Sequence, residues 1–161
     1  MAQVEKTRVT VRDGLFRATP REINPPDIPV PQSLPDHPVR KAAVRRRVLV
    51  VEDNLDSMHS LVLMLRDMGH EVQFAINGYA ALEIAAKMRP EFVFLDLGLP
   101  GLDGFYVCER IKANPALNAA RVVAITGYAS AEYRIRSKAS GCELHLVKPV
   151  GREVFESLLG S

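Results

Sequence analysis

Cysteine is scarce in this 161-residue chain: Cys108 and Cys142 are the only two, far apart, and no export signal precedes them. Disulfides need an oxidising compartment, so reduced thiols in a cytoplasmic protein are the expected state, and a disulfide-stapled secreted scaffold is excluded. No apolar run approaches the roughly 20 residues that cross a bilayer, and the N-terminal stretch MAQVEKTRVT has no apolar signal core. No glycines follow the first apolar run, where Asn54-Leu55-Asp56 stands, so a dinucleotide-binding turn is missing. No zinc-ligand spacing of Cys and His appears either. With 47% hydrophobic and 25% charged residues, the chain is too apolar for full disorder and long enough for one domain of ordinary size plus an appendage.

Charge and proline are unevenly spread. Residues 1–47 hold 10 Lys/Arg against 5 Asp/Glu, whereas residues 48–161 hold 11 against 14. Seven of the 11 prolines fall before residue 40: Pro20, Pro25, Pro26, Pro29, Pro31, Pro35 and Pro38. Fixed φ and missing N–H donors favour extended chain there. We therefore read residues 1–46 as a proline-rich basic tail or linker and 47–161 as the folded unit. Within the tail, Asp13-Gly14 between alternating segments signals a short hairpin at about 7–18. The cluster Arg40, Lys41, Arg45, Arg46 and Arg47 lacks interleaved aromatics, so it reads as a solubilising flank and not as a nucleic-acid site.

From residue 47 the chain alternates short apolar runs with helical periodicity. The runs are Val48–Val51, Val72–Ala75, Phe92–Leu95, Val122–Ile125 and Leu144–Val147, mostly continuous and rich in β-branched residues, as strands buried on both faces are. The first helix carries Leu61, Met64, Leu65 and Met68 as its inward stripe and stops at Gly69. The second spans about 78–87 with Ala81, Leu82, Ala85 and Ala86 inward. The third begins at the cap Asp103 and buries Val107, Cys108 and Ile111; the fourth covers about 131–139 and the last 152–159. Five βα units predict an α/β fold: an open, doubly wound, five-stranded parallel sheet, flavodoxin-like, of order 2-1-3-4-5, with helices on both faces.

Ligands in such sheets bind at the carboxyl ends of the strands. The first run ends in Glu52-Asp53, the third in Asp96, the fourth in Thr126 and the fifth in Lys148. Three carboxylates against one ammonium leave a net charge of −2, and each like-charge pair at about 4 Å costs roughly 4 kcal/mol at an effective dielectric near 20. A hard divalent cation, Mg²⁺ or Mn²⁺, suits an all-oxygen ligand set. A metal beside a carboxylate, a hydroxyl and a lysine suits phosphoryl transfer.

The segments VLVVEDN (48–54), FLDLGLPGLDG (94–104), ITGYA (125–129) and LVKPV (146–150) resemble the receiver domain of two-component response regulators over about 47–159. The likeness is greatest to receivers that stand alone or end hybrid sensor histidine kinases. That resemblance implies that Asp96 is the phosphoacceptor, taking a phosphoryl group from a histidine kinase or a histidine phosphotransfer protein. It implies further that Asp53, Asp96 and the backbone carbonyl of Gly98 ligate Mg²⁺, with Glu52 contacting it through water. Lys148 would pair with a phosphoryl oxygen, Thr126 would swing toward another, and the Lys148-Pro149 bond is usually cis. Gly98 and Tyr128 would flank the phosphoryl group. The switch position, often Tyr or Phe, is His145, a benign replacement that carries a titratable ring. Val62 and Leu63, beside the inward stripe of the first helix, are the expected docking face for the helical bundle that bears the donor histidine. The thirteen residues after Lys148 suggest a receiver without its own output domain. Its only chemistry would be self-directed: accepting and losing its own phosphoryl group. Two alternatives stand beside this one. A Mg-dependent aspartate-nucleophile phosphohydrolase would want a D-x-D motif at the first strand and a cap insertion. A pseudo-receiver would bind partners without phosphorylation.

Overall fold

The computed structural model describes residues 44–160; the hairpin expected at about 7–18 lies outside them. Ten elements alternate: β1 (Arg47–Val51), α1 (Leu55–Asp67), β2 (Glu71–Ala75), α2 (Gly78–Met88), β3 (Phe92–Leu95), α3 (Gly104–Ala113), β4 (Arg121–Thr126), α4 (Ala131–Ala139), β5 (Leu144–Val147) and α5 (Arg152–Leu159). The strands form one sheet in the order β2-β1-β3-β4-β5, with every neighbouring pair parallel. The expected doubly wound, flavodoxin-like architecture is thus observed. Most boundaries lie within a residue or two of the apolar runs.

Each strand sends alternate side chains to opposite faces. Leu49, Val51, Val93, Leu95, Val122 and Ala124 join Ala81 and Ala85 of α2 and Phe105, Val107, Cys108 and Ile111 of α3 in one core. Val48, Val50, Phe92, Phe94, Val123 and Ile125 join Met58, Val62 and Leu65 of α1 and Phe155 and Leu159 of α5 in the other. Central strands β1, β3 and β4 are almost wholly buried, while β2 and β5 each leave residues exposed because they form the sheet edges. α4 has one buried residue, Ser137, and is the least embedded helix among the described residues.

Local chemistry sets the helix limits. Asn54, Asn77, Asp103 and Ser130 cap α1 to α4, each side chain accepting from a backbone N–H of the first turn. Gly69 (φ +92°) and Gly141 (φ +96°) take the left-handed conformation just past α1 and α4.

Two expectations about facing are corrected. The buried stripe of α1 is Met58, Val62 and Leu65, whereas Leu61, Met64 and Met68 are only half-buried. Spacings of four and three place Met58, Val62 and Leu65 on one line, and that line meets the sheet. Val62 is 3% exposed, packed among core residues, and therefore cannot belong to a docking face; Leu63, 66% exposed, lies on the outer side of the helix. In α2, Ala81 and Ala85 are buried as expected, Leu82 is half-buried and Ala86 is exposed.

Candidate functional site

The carboxyl ends of β1 and β3 lie side by side, since Val51 pairs with Leu95. The next residues, Glu52-Asp53 and Asp96, therefore meet at one rim. Oxygens from Glu52, Asp53 and Asp96 all lie within 4.8 Å of one another. Across β4, Thr126 pairs with Val147, so Lys148 leaves β5 at the same rim, and its backbone N–H donates to the Thr126 carbonyl at 2.9 Å. The Lys148-Pro149 peptide is cis.

Lys148 Nζ donates to Glu52 Oε2 at 2.5 Å and to Asp96 Oδ2 at 2.6 Å. Glu52 is buried and its other oxygen accepts from the Asn54 N–H at 3.2 Å. Asp96 Oδ1 accepts from the Gly98 N–H at 2.8 Å. Burial alone depresses the Lys148 pKa, but the hydrogen bonds to Asp96 and Glu52 outweigh it and hold the ammonium above the ordinary lysine range. Asp53, by contrast, is exposed at the mouth of the cluster.

The donor set suits a divalent cation. Three carboxylates stand against one lysine, which pairs with Glu52 and Asp96 only, so the pocket keeps a surplus of negative charge, and every candidate ligand atom is a hard oxygen. Gly98 lies two residues beyond Asp96 in the same loop. A Cβ on Gly98 would stand 3.4 Å from Asp96 Oδ1 and 3.5 Å from the Tyr128 ring, so this backbone is within reach of both.

Thr126 is fully buried at the end of β4, and its Oγ1 accepts from the Tyr128 N–H at 3.2 Å. His145 is half-buried on β5. Its Nε2 lies 2.9 Å from the Tyr128 carbonyl and its Nδ1 lies 3.0 Å from Ser137 Oγ. A carbonyl can only accept, so Nε2 carries a proton. The ring thereby ties the segment after Thr126 to α4. Tyr128 stacks on Tyr133 of α4, with ring centroids 4.5 Å apart.

Ser137, Arg136 and the close packing of Gly104 escaped the sequence reading. Ser137 anchors His145 from α4, and no local signal marks it. Asp103, foreseen as a cap, also pairs with Arg136 at 2.6 Å, and that guanidinium lies 4.0 Å over the Phe105 ring. Gly104 has no room for a side chain: a Cβ would fall 2.6 Å from the Asp96 carbonyl oxygen and 2.7 Å from Leu97 Cα. A glycine after Asp103 was visible in the motif, but the close approach was not.

A five-stranded 2-1-3-4-5 sheet with acid, hydroxyl and amine side chains at one carboxyl rim defines a receiver-type module. The response regulator receiver domain model matches residues 48–159, and the chain belongs to that family. It acts as a phosphoacceptor in two-component signal transduction. Response regulator PleD of Caulobacter vibrioides is 36% identical over 104 residues, covering 65% of this chain and 23% of PleD. The chain thus corresponds to under a quarter of that relative's length. Protein PilH of Pseudomonas aeruginosa is 31% identical over 109 residues, covering 68% of this chain and 90% of PilH. A solved structure of the receiver domain of sensor histidine kinase PA1611 from Pseudomonas aeruginosa PAO1, with magnesium coordinated in the active-site cleft, matches with a TM-score of 0.67 at 28% identity. That match covers 71% of this chain and 94% of the other. Among the described residues, no helix is long and apolar enough to cross a membrane.

Proposed function

We propose that Asp96 is the phosphoacceptor of this receiver and that its donor is a phosphohistidine on a cytoplasmic histidine kinase or histidine phosphotransfer protein. The observation that carries this reading is the position of the Asp96 carboxylate. It is half-buried at the sheet rim, oriented through Oδ1 by the Gly98 N–H and through Oδ2 by Lys148, with Glu52 and Asp53 alongside. A carboxylate held in one orientation can attack phosphorus in line, and most of the catalysis in such transfers is positioning and charge neutralisation.

Glu52, Asp53, Asp96 and the Gly98 carbonyl would hold Mg²⁺, with Mn²⁺ as a substitute. Bound there, the ion would supply positive charge against the phosphoryl oxygens. Lys148 then releases its hold on Asp96 in favour of a phosphoryl oxygen, keeping its bond to Glu52. Thr126 turns its hydroxyl toward the same group, giving up the Tyr128 N–H, and the segment linked to His145 and α4 moves with it. The reaction is self-directed, with the protein as its own substrate. Of Val62 and Leu63, only Leu63 is exposed on α1 for contact with the donor.

Incubation with a small-molecule phosphodonor and Mg²⁺ tests the assignment. Intact mass should show one added phosphoryl group on the wild type, stable to acid and lost in base, and none on Asp96→Asn. Equal labelling of both proteins would place the acceptor elsewhere.

A further inference from the structure

Away from the phosphoacceptor rim, the two thiols meet. Cys108 lies on the inner face of α3 and Cys142 just past α4, at the start of the turn into β5; both are free and buried. The Cys142 thiol donates to Cys108 Sγ across 3.2 Å. A disulfide needs about 2.05 Å between sulfurs, so each has to move by only about 0.6 Å. The sequence separation of 34 residues makes this a tertiary pairing created by the fold.

We propose that Cys108 and Cys142 are a built thiol pair that closes to an intramolecular disulfide when the protein meets a peroxide. Three features of the site favour the reaction. The partner thiol donates its S–H to Cys108, which holds Cys108 below the ordinary thiol range against the opposing effect of burial; the Lys112 charge adds to that lowering. That hydrogen bond, with burial, pushes Cys142 up, so Cys108 is the first of the pair to lose its proton. Cys142 keeps 5% of its surface exposed where Cys108 keeps none, so the pair lies nearest the surface at Cys142.

The chemistry balances with peroxide as the oxidant. A thiolate of the pair attacks one peroxide oxygen; the O–O bond breaks, hydroxide leaves and a sulfenic acid remains. The neighbouring sulfur attacks the sulfenic sulfur, the S–S bond forms, the S–O bond breaks and water departs with the second thiol proton. Two electrons pass from the sulfurs to the peroxide. The bond would fasten α3, whose first residue packs on the Asp96 loop, to the segment that enters β5 and leads to Lys148. Oxidation would therefore limit relative movement of the two walls of the site.

The test uses the full-length protein, native and reduced, exposed to hydrogen peroxide, quenched with an alkylating agent and analysed by mass spectrometry without reductant. A monomer lighter by about 2 Da and closed to alkylation is expected, with the tryptic peptides holding Cys108 and Cys142 joined and released by dithiothreitol. Cys108→Ser and Cys142→Ser should each lose the linked peptide and instead gain oxygen or remain alkylated. Unchanged wild-type mass, oxygen addition without a cross-link, or a link between two chains would each overturn the proposal. Because the wild-type peptide map alone decides it, the outcome does not depend on either variant folding.

Discussion

Lys148 is ordered by competing demands. Its stem passes through a half-buried environment that disfavours the charge, yet two carboxylates from strands 52 and 96 residues away in sequence converge on its ammonium. A buried Glu52 without that partner would be an uncompensated charge, so the lysine serves the fold before it serves any phosphoryl group. The contrast between two adjacent residues of α1 is equally sharp. Val62→Ala removes methyl groups from a closed core and should lower stability by on the order of 2 kcal/mol. Leu63→Ser, on the exposed side, should change stability by no more than about 0.5 kcal/mol. It should nevertheless slow phosphoryl transfer from a histidine donor while leaving labelling by a small phosphodonor unchanged. Denaturant melts and the two transfer assays check this pair, and equal losses with both donors would remove Leu63 from the donor contact. Sequence periodicity gave α1 an apolar side but could not choose between 61-64-65-68 and 58-62-65, because apolar residues occupy both lines. Only the sheet's surface decides which line is covered.

At the scale of elements, what matters is how tightly each segment is tied to the rim. The N-terminus of α3 touches the loop after Asp96 through Gly104, where a methyl group would overlap backbone. Gly104→Ala should cost about 1–3 kcal/mol by overpacking and slow phosphorylation, because relief of the overlap displaces the loop that carries Asp96. Unchanged stability by thermal melt would show that the approach is looser than the geometry gives. At the opposite end of the sheet, Glu91 accepts from the Arg47 N–H at 3.0 Å and from Arg46 Nη1 at 3.2 Å, joining the foot of β3 to that of β1. The backbone bond to Arg47, ahead of the arginine charges and against burial, holds its carboxyl below the ordinary 4.5. A lowered pKa stabilises the fold above the unfolded value and loses that contribution as pH falls through the folded one. Glu91→Gln should therefore cost about 1 kcal/mol at neutral pH, with the difference from wild type shrinking below about pH 4.5; a difference constant from pH 7 to pH 3 would contradict it. Strands, the Asp103 cap and the stop at Gly69 were legible because their signals are local: continuous β-branched runs, Asp before a helix, Gly after it. Ser137 beneath His145, Arg136 on Asp103 and the meeting of Cys108 with Cys142 were not, since each depends on where one helix lies against another.

For the whole molecule, the site exists only when four strands are assembled. Glu52, Asp53, Asp96 and Lys148 come from three separate βα junctions, and the register of β1 with β3 and of β4 with β5 brings them to one rim. An unfolded chain cannot present this cluster, so a divalent cation that binds it binds the native state alone and must stabilise the entire sheet. At a free concentration a hundredfold above Kd the gain is about 2.7 kcal/mol, or roughly 10 °C in Tm for a domain of this size. Tm should rise with Mg²⁺ along a saturating curve, return on chelation, and stay flat with a monovalent salt at matched ionic strength, which tests general screening. Asp53 is exposed and outside both cores, so Asp53→Asn should fold normally and lose most of that rise. An equal rise in the variant would mean that Mg²⁺ stabilises the protein from somewhere other than the rim, and the ligand assignment would fall with it.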